Sequence, residues 1–156
     1  MLDDVADRLE IHELTNRYGY YNDSRRLDDL LDLWTEDAVF DETAVGLERL
    51  EGRPAIRRFF DATTGAVRSR SHVMSNQVVL SLDGDHATGV CYFTADIVTS
   101  GGDELRAIGY YEDVYARVDG SWKIAHRTIV PLHQPRLDAL ARGVEDEHRK
   151  AGTGTA

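Results

Sequence analysis

The stretch RYGYYNDSRR, residues 17–26, places an aspartate two residues after a group of three tyrosines and two residues before a pair of arginines. This aspartate, Asp23, can be a helix cap, a solvated charge or one member of a catalytic acid-base pair. As a cap it would act with Ser24 at the start of the following helix, where short acceptor side chains satisfy free amides. The stretch alone leaves these alternatives open.

Two histidines fall in apolar rows on predicted strands. Side chains alternate along a strand, so each histidine can be assigned to a face. The face of His72 comprises Met74, Asn76, Val78, Leu80 and Leu82, and that of His126 comprises Trp122, Ile124, Thr128, Val130 and Leu132. An ionisable side chain in such a row is costly unless it is hydrogen-bonded or has a chemical role. Either histidine is therefore a hydrogen-bonded structural residue or part of a site.

A hydrogen bond between Asp23 and His72 would give both residues a joint role. The carboxylate fixes the tautomer of the imidazole and leaves the second ring nitrogen as a general base. Such a base removes a proton next to a carbonyl or a leaving group. Tyr18, Tyr20 or Tyr21 could donate a hydrogen bond to the oxygen that gains charge, although core packing is the ordinary role of such rings.

Other kinds of site find little support. The sequence contains no GxSxG, P-loop or GxGxxG motif, and HQPRL lacks the spacing of a zinc motif. His72 and His126 could form a facial triad with a carboxylate, but single ligands on separate segments are not a recognisable metal pattern. We therefore expect no metal and no cofactor. The single cysteine, Cys91, excludes an internal disulfide.

Composition indicates a globular protein. Of 156 residues 42% are hydrophobic and 29% charged, and no apolar run approaches the ~18 residues of a membrane span. The net charge of −10 argues against nucleic acid or an anionic membrane as a partner, because both need a cationic surface. The acidic N-terminal segment MLDDVADRLE is unlike a signal peptide, so we expect a cytoplasmic location.

Hydrophobic periodicity predicts the elements that position these residues. We expect helices near 2–21, from Leu27 to Trp34, 54–65 and 134–149, and strands near 37–45, 71–82, 87–99, 104–118 and 121–133. Three helices followed by a long antiparallel sheet form an α+β pattern. Residues 1–135 are expected to form one domain, and residues 136–156 a C-terminal helical extension with a flexible tail, AGTGTA.

Several segments, in this order, are similar to the SnoaL-like branch of the nuclear transport factor 2-like superfamily. They are DRLEIHELTNRYGYYND, LLDLWTEDAVFD, EGRPAIRRFF, SHVMSNQVV and DGSWKIAHR, which together span nearly residues 4–133. The resemblance implies a cone-shaped barrel, in which a strongly bent antiparallel sheet and three helices enclose one cavity. The superfamily includes enzymes, binding domains and assembly subunits, so this fold does not assign a function.

Within that branch the sequence resembles scytalone dehydratase, hexachlorocyclohexane dehydrochlorinase and the bile acid dehydratases. These enzymes pair an aspartate at the end of the first helix with a histidine on the first strand of the main sheet, which Asp23 and His72 match. Tyr18 matches a tyrosine found in some of them. The second histidine of scytalone dehydratase and the lysine of the dehydrochlorinase have no counterpart here, which argues against scytalone or a chlorinated alicycle as the substrate.

The resemblance and the residues together predict a cofactor-independent lyase or isomerase, dehydratase-like, for a small and largely apolar cyclic or polyketide-like substrate. His72 would abstract the proton, Asp23 would orient His72, and Tyr18 with Asn76 would hold the oxygen that gains charge or leaves. The predicted substrate-binding residues are Asn76, Met74, Trp34, Phe40, Phe59, Tyr92 and His126. Arg127 lies on the opposite strand face from His126, so at most one of them should line the cavity.

Two alternatives stay open from the sequence. One is a non-catalytic small-molecule-binding or assembly domain of the same fold, and this class includes the small subunit of a ring-hydroxylating dioxygenase. The outer face of the predicted sheet is apolar in part, at Val73, Val79, Ile108 and Val114, and such a face needs cover. We therefore expect a homodimer or a homotrimer.

Overall fold

One mixed sheet of six strands organises the chain, and helices cover its inner face. The computed structural model describes residues 2–132 and 138–153. The helices are α1 (Leu2–Asp23), α2 (Leu27–Asp32), α3 (Arg53–Ala66) and α4 (Asp138–Thr153). The strands are β1 (Trp34–Asp41), β2 (Arg49–Glu51), β3 (Val67–Asp83), β4 (His86–Thr99), β5 (Glu104–Val118) and β6 (Ser121–Pro131), with a 3-10 turn at Thr43–Val45. The predicted α+β class is confirmed.

The strand order in the sheet is β2-β1-β6-β5-β4-β3. Strands β3 to β6 form the predicted antiparallel meander, and β1 adds to its end in parallel with β6. The prediction of a wholly antiparallel sheet is therefore wrong, because β1 and β6 run in parallel. Among the described strands it is curved but open, with β2 and β3 as its edges, so it is not a closed barrel.

Turn residues set the register of the meander. Asp119 and Gly120, which join β5 to β6, have φ values of 51° and 80°. Positive φ at both central residues is the type I′ geometry that matches the twist of a two-residue hairpin, and it suits the sequence Asp-Gly. The pairing of Val118 with Ser121 follows from this turn.

Register shifts in the middle of β3 and near the end of β5 change which residues face the core. In β3 the shift lies between Ser75 and Val78, where Asn76 has a φ of 46°. Beyond it Val78 is exposed and Val79 is buried. A shift of one residue moves every following side chain to the other face. The predicted apolar face of β3 is therefore wrong from Asn76 to Leu80, and a further shift between Val79 and Ser81 returns Leu82 to the core side.

The shift near the end of β5 lies between Val114 and Tyr115, opposite the middle of β6. In β6 the buried residues are Trp122 and Ile124 before this point, and Arg127 and Ile129 after it. The prediction that His126 shares the face of Trp122 is therefore wrong.

The helices close the concave side of the sheet. The buried side of α1 carries Ile11, Leu14, Thr15, Tyr18 and Asn22, spaced by three or four residues as expected for a helix on a core. Helix α4 packs on α3, because Gly143 lets the two backbones approach until an added Cβ would lie 3.0 Å from that of Ala66. Residues 154–156 of the predicted tail lie outside the described residues, while the preceding three residues belong to α4.

The outer face of the sheet exposes Val73, Leu80 and Val114, whereas Val79 faces inward. The expected homodimer or homotrimer stays a prediction. The described residues contain no helix that is both long and apolar enough to cross a membrane.

Candidate active site

The end of α1 and the first half of β3 bring Asp23 and His72 into contact. Oδ2 of Asp23 accepts a hydrogen bond from the backbone N–H of His72 at 2.7 Å, and Oδ1 lies 2.5 Å from the ring Nδ1. An ionised carboxylate only accepts hydrogen bonds, so Nδ1 carries the hydrogen. Nε2 is then the nitrogen left for a ligand. The His72 side chain is 9% exposed and that of Asp23 25%.

Asp23 is the last residue of α1, and the turn after it is fixed by Arg25. The backbone of Arg25 has a φ of 59°, and its guanidinium donates to the carbonyls of Val67 at 2.9 Å and Arg68 at 3.0 Å. The next helix has Arg26 as its N-cap and no side-chain cap bond. The alternative that Asp23 caps this helix is therefore wrong.

A cavity of about 70 Å³ lies between the helices and the concave face of the sheet, and His72 forms part of its wall. Its apolar wall includes Phe59, Phe60, Phe93, Ile97, Ile129 and Leu140, the last from α4. Its polar residues include Tyr18, Asn22, Glu42, Arg70, His72 and Tyr111. The volume is below the ~150 Å³ of an engineered cavity that admits benzene. A ring-sized ligand therefore requires wall side chains to move.

Tyr18 and Tyr111 form one side of this cavity and rest on a buried ion pair. Their ring centroids are 5.7 Å apart, and the Arg127 guanidinium lies 4.3 Å and 4.1 Å from them. Two nitrogens of Arg127 donate to the carboxylate oxygens of Asp113, each at 2.8 Å. Arg127 thus faces inward, whereas His126 faces out. Tyr111 and Arg127 were not among the predicted site residues.

Burial also keeps both tyrosines protonated. It raises the pKa of Tyr18 and of Tyr111, and the positive charge of Arg127 opposes that rise. The ring of Tyr18 lies 6.5 Å from that of His72, in an edge-to-face arrangement. The Tyr111 hydroxyl interacts with that of Tyr18 as a donor, which leaves the hydrogen of Tyr18 available for a ligand beside the histidine.

Four of the predicted substrate-binding residues lie near the cavity, at different depths. Phe59 lines it. Trp34 and Phe40 are buried behind the lining residues, where Trp34 packs against Tyr18 at 6.1 Å between ring centroids. Met74 lines a shallow outer cleft together with Asp23 and His72. Trp34 and Phe40 thus lie behind the cavity wall and Met74 at the outer cleft, and their role in substrate binding stays a prediction.

The other three, Asn76, Tyr92 and His126, do not line the cavity. Asn76 is exposed at the bulge of β3. The ring of Tyr92 stacks on that of Tyr110 at 5.4 Å, on the outer side of the sheet. His126 lines an outer groove with Glu112. The bulges explain Asn76 and His126, because each reverses the alternation from which their face was predicted.

The sequence reasoning missed Glu42, which follows β1 and is 7% exposed. It lines the cavity, and among the described residues its buried Oε2 has no hydrogen-bond partner. Burial raises the pKa of Glu42 to about 8, and the negative charges of Glu48 and Asp41 add to the rise. The available signal was alternation in β1, since Ala38, Phe40 and Glu42 are all buried.

Asn22 and Arg70 complete the polar part of the wall. Arg70 donates to the backbone carbonyl of Asn22 at 2.9 Å, and Oδ1 of Asn22 is buried without a partner among the described residues. Burial lowers the pKa of Arg70, and the charge of Arg25 contributes to the same direction. In the part of the chain that the structure describes, no group of three or more His, Cys, Asp and Glu side chains could hold a metal ion.

Comparison with known proteins assigns the family. The model of the SnoaL-like domain matches residues 3–128. The chain belongs to the SnoaL-like family. One SnoaL-like relative, the uncharacterized protein Rv2910c of Mycobacterium tuberculosis, is 32% identical over 137 residues, which is 86% of this chain and 91% of the relative.

Two solved structures show the same architecture. A candidate aromatic ring hydroxylase from Novosphingobium aromaticivorans has a TM-score of 0.83 and 30% identity, with 87% of this SnoaL-like chain and 97% of the other covered. A candidate scytalone dehydratase from the same species has a TM-score of 0.78 and 21% identity, with 85% and 89% covered. The second likeness concerns the fold alone. The predicted SnoaL-like fold is confirmed.

Proposed function

We propose that this SnoaL-like protein is a cofactor-independent lyase or isomerase, in which His72 removes a proton from a small substrate. The observation that carries the proposal is the contact of Asp23 with His72 at the wall of a cavity. Nδ1 of His72 lies 2.5 Å from Oδ1 of Asp23, and the same imidazole ring lines the cavity. A positioned imidazole with one free nitrogen is the arrangement that general-base catalysis needs.

In the proposed reaction Nε2 of His72 accepts a proton from a carbon next to a carbonyl group. Asp23 retains the hydrogen bond to Nδ1 and stabilises the imidazolium that forms. Tyr18 donates a hydrogen bond to the oxygen on which negative charge develops, and Tyr111 supports the Tyr18 hydroxyl. Return of the proton at a different carbon gives isomerisation, and loss of a neighbouring group gives elimination.

The cavity restricts the substrate. Its volume of about 70 Å³ and its aromatic and aliphatic wall suit a small, largely apolar molecule. A single ring already requires wall side chains to move, and a polyketide-sized substrate would require a much larger rearrangement. We therefore propose single-ring or shorter substrates with one or two oxygen atoms.

The experiment measures exchange of hydrogen for deuterium at carbons next to the carbonyl of small cyclic ketones and hydroxyketones, followed by NMR in heavy water. For a compound whose exchange the wild type accelerates, His72→Ala should lower the rate by ~10²–10⁴, the usual contribution of a general base. Asp23→Asn should lower it as well, because the amide does not hold the same tautomer. His126→Ala is the matched control, since this histidine lies on the outer face.

Circular dichroism of each variant tests whether the fold is retained. Equal exchange by a folded His72→Ala variant and the wild type would refute the assignment of His72 as the base.

A second candidate is a binding or assembly subunit of the same fold. It is favoured by the 30% identity to the candidate aromatic ring hydroxylase, because such systems can divide their work between subunits. In that case the isolated chain would bind small cyclic molecules without exchanging their hydrogens. Activity that appears only when a larger partner protein is added would support this second candidate.

A further inference from the structure

Glu42 is a buried carboxyl group for which the proposed proton abstraction has no use. It lies at the wall of the same cavity as His72, and its Oε2 has no hydrogen-bond partner among the described residues. A buried polar atom without a partner costs stability, commonly ~1–3 kcal/mol, so a native protein that retains one needs an explanation. A ligand atom that completes the hydrogen bond supplies one.

We propose that Glu42 is the acid partner of His72, a neutral carboxyl group that donates a hydrogen bond, and then its proton, to an oxygen of a neutral substrate. The inference rests on the proposed function and deepens it, because it names the class of leaving group. His72 takes a proton from carbon, and Glu42 gives one to oxygen.

The surroundings of Glu42 favour its neutral form. The nearby charges of Glu48 and Asp41 are negative, and both oppose ionisation of Glu42. Among residues 2–132 and 138–153, no arginine or lysine forms an ion pair with the carboxyl group of Glu42; Arg53 and Arg127, for example, pair with other carboxylates. The groups that face it from other elements are the hydroxyls of Tyr18 and Tyr111, whose own pKa values the charge of Glu42 raises.

The two other charged or titratable groups of the wall are on β3. Arg70 donates to the backbone carbonyl of Asn22, and His72 is held by Asp23. In the described part of the chain, neither Arg70 nor His72 forms a hydrogen bond or an ion pair with Glu42. The carboxyl group thus stays protonated at neutral pH, and its O–H is a donor with no acceptor until a ligand enters.

This arrangement selects a substrate class. A carboxylate or phosphate at this end of the cavity would gain no cation from Glu42 and would repel its ionised form. A hydroxyl or carbonyl oxygen accepts its hydrogen bond. A chloride leaving group needs no proton, so an acid here fits the elimination of water or an alcohol and not the elimination of hydrogen chloride.

In a β-hydroxy ketone the reacting C–H group lies between the carbonyl carbon and the carbon that bears the hydroxyl group. Nε2 of His72 takes the proton between the two functional groups, and the C–H electron pair forms the new double bond. The C–O bond breaks with its electron pair on oxygen, and Oε2–H of Glu42 supplies the proton that makes this oxygen water. The imidazolium then carries one extra proton and Glu42 lacks one, so proton transfer through solvent restores both groups.

The first test follows the titration of isotope-labelled glutamate carboxyl carbons by NMR. One resonance should titrate near pH 8 and be missing in Glu42→Gln. Glu48→Gln is the matched control, because it removes the same charge from an exposed neighbour: the resonance should remain and titrate at a somewhat lower pH, since the charge of Glu48 contributes to the raised pKa of Glu42. A Glu42 resonance that titrates in the ordinary range of glutamate would overturn the proposal.

The second test uses cyclopentanone as a neutral oxygen probe and cyclopentane as its oxygen-free match, with binding measured by NMR shifts. If only the protonated form binds, the Kd of cyclopentanone should rise about tenfold between about pH 6.5 and about pH 9. The Kd of Glu42→Gln should stay constant over this range, since its amide remains a donor. Cyclopentane should show no pH dependence in either protein.

A rise that Glu42→Gln shares with the wild type would refute the role of Glu42. The role of Glu42 would also be refuted if cyclopentanone bound no more tightly than cyclopentane, or if it did not bind. His72→Ala separates this proposal from the previous one, because it should retain the pH dependence of cyclopentanone binding. A His72→Ala protein that retains exchange activity would refute the base and leave the result for Glu42 untouched.

Discussion

Replacement of Glu42 by glutamine should change how the stability of the protein depends on pH. The side chain is buried, and its pKa is raised from the ordinary 4.5 to about 8. The folded state therefore binds this proton more tightly than the unfolded state does. Between about pH 4.5 and about pH 8 the unfolded chain releases the proton and the folded protein keeps it, so the free energy of unfolding falls as the pH rises.

The magnitude follows from the size of the shift. Each unit of pKa difference corresponds to about 1.4 kcal/mol, so Glu42 should lower the free energy of unfolding by about 3 kcal/mol between about pH 5 and about pH 7.5. Glutamine does not titrate, and its buried amide contributes a cost that is the same at every pH. The difference between wild type and Glu42→Gln should therefore slope in favour of the variant as the pH rises.

Urea denaturation of both proteins at several pH values measures this slope, provided that the m-value is unchanged. Other groups titrate in the same range, but they cancel in the difference between the two proteins. Glu48→Gln, which removes an exposed carboxylate, should retain most of the wild-type slope, because burial is the largest cause of the raised pKa of Glu42 and the charge of Glu48 a smaller one. A difference between wild type and Glu42→Gln that is flat from about pH 5 to about pH 7.5 would refute the burial argument for Glu42.

Two further substitutions test the support of the cavity. Asp113→Asn should cost about 3–5 kcal/mol of unfolding free energy, because it leaves the buried Arg127 without its counter-ion. The control, Asp96→Asn, removes a half-exposed pair with Arg106 and should cost under about 1 kcal/mol. Equal costs would contradict this account. Gly109→Ala should destabilise by about 1–3 kcal/mol, since its Cβ would lie 2.5 Å from the Val130 carbonyl oxygen and 3.2 Å from the Phe93 ring. Gly101→Ala, with its nearest atoms at 3.7 Å, is the control and should be nearly neutral; thermal or urea unfolding measures both.

The contact of Asp23 with His72 could be anticipated because both signals are local. Asp23 ends a long helix, and His72 lies in the regular stretch of β3 before the shift at Asn76, so its face follows from simple alternation. The fold resemblance then supplied the relative placement of helix and strand. Composition and turn residues sufficed for the helices and for the antiparallel meander, since these depend on short stretches of sequence.

The errors arise where a local rule is overridden by the sheet. No glycine marks the bulge at Asn76 or the shift before Arg127. The alternation of inward and outward side chains was therefore extended past both points. The parallel pairing of β1 with β6 depends on contacts between residues far apart in the sequence. Such pairing leaves no pattern of its own in either strand.

Glu42 was missed for a different reason. In FDETAVG it stands between charged and turn-forming residues, which is typical of a solvated loop. Only the packing of the turn after β1 against the cavity buries it. Hydrophobic patterns find residues that are buried because they are apolar, and they overlook a carboxyl group that is buried in spite of its polarity.

The two carboxyl groups of the site differ in a way that fits their proposed roles. Asp23 receives two hydrogen bonds from His72, one from the backbone and one from the ring, so its negative charge is matched where it lies. Glu42 receives none from the described residues at its buried Oε2, so the neutral form is favoured there. The site thus combines a carboxylate that orients the base, at the outer cleft, with a carboxylic acid at the cavity wall that retains its proton. A site that takes a proton from carbon and gives one to oxygen needs both, and burial with or without a partner is sufficient to create the difference.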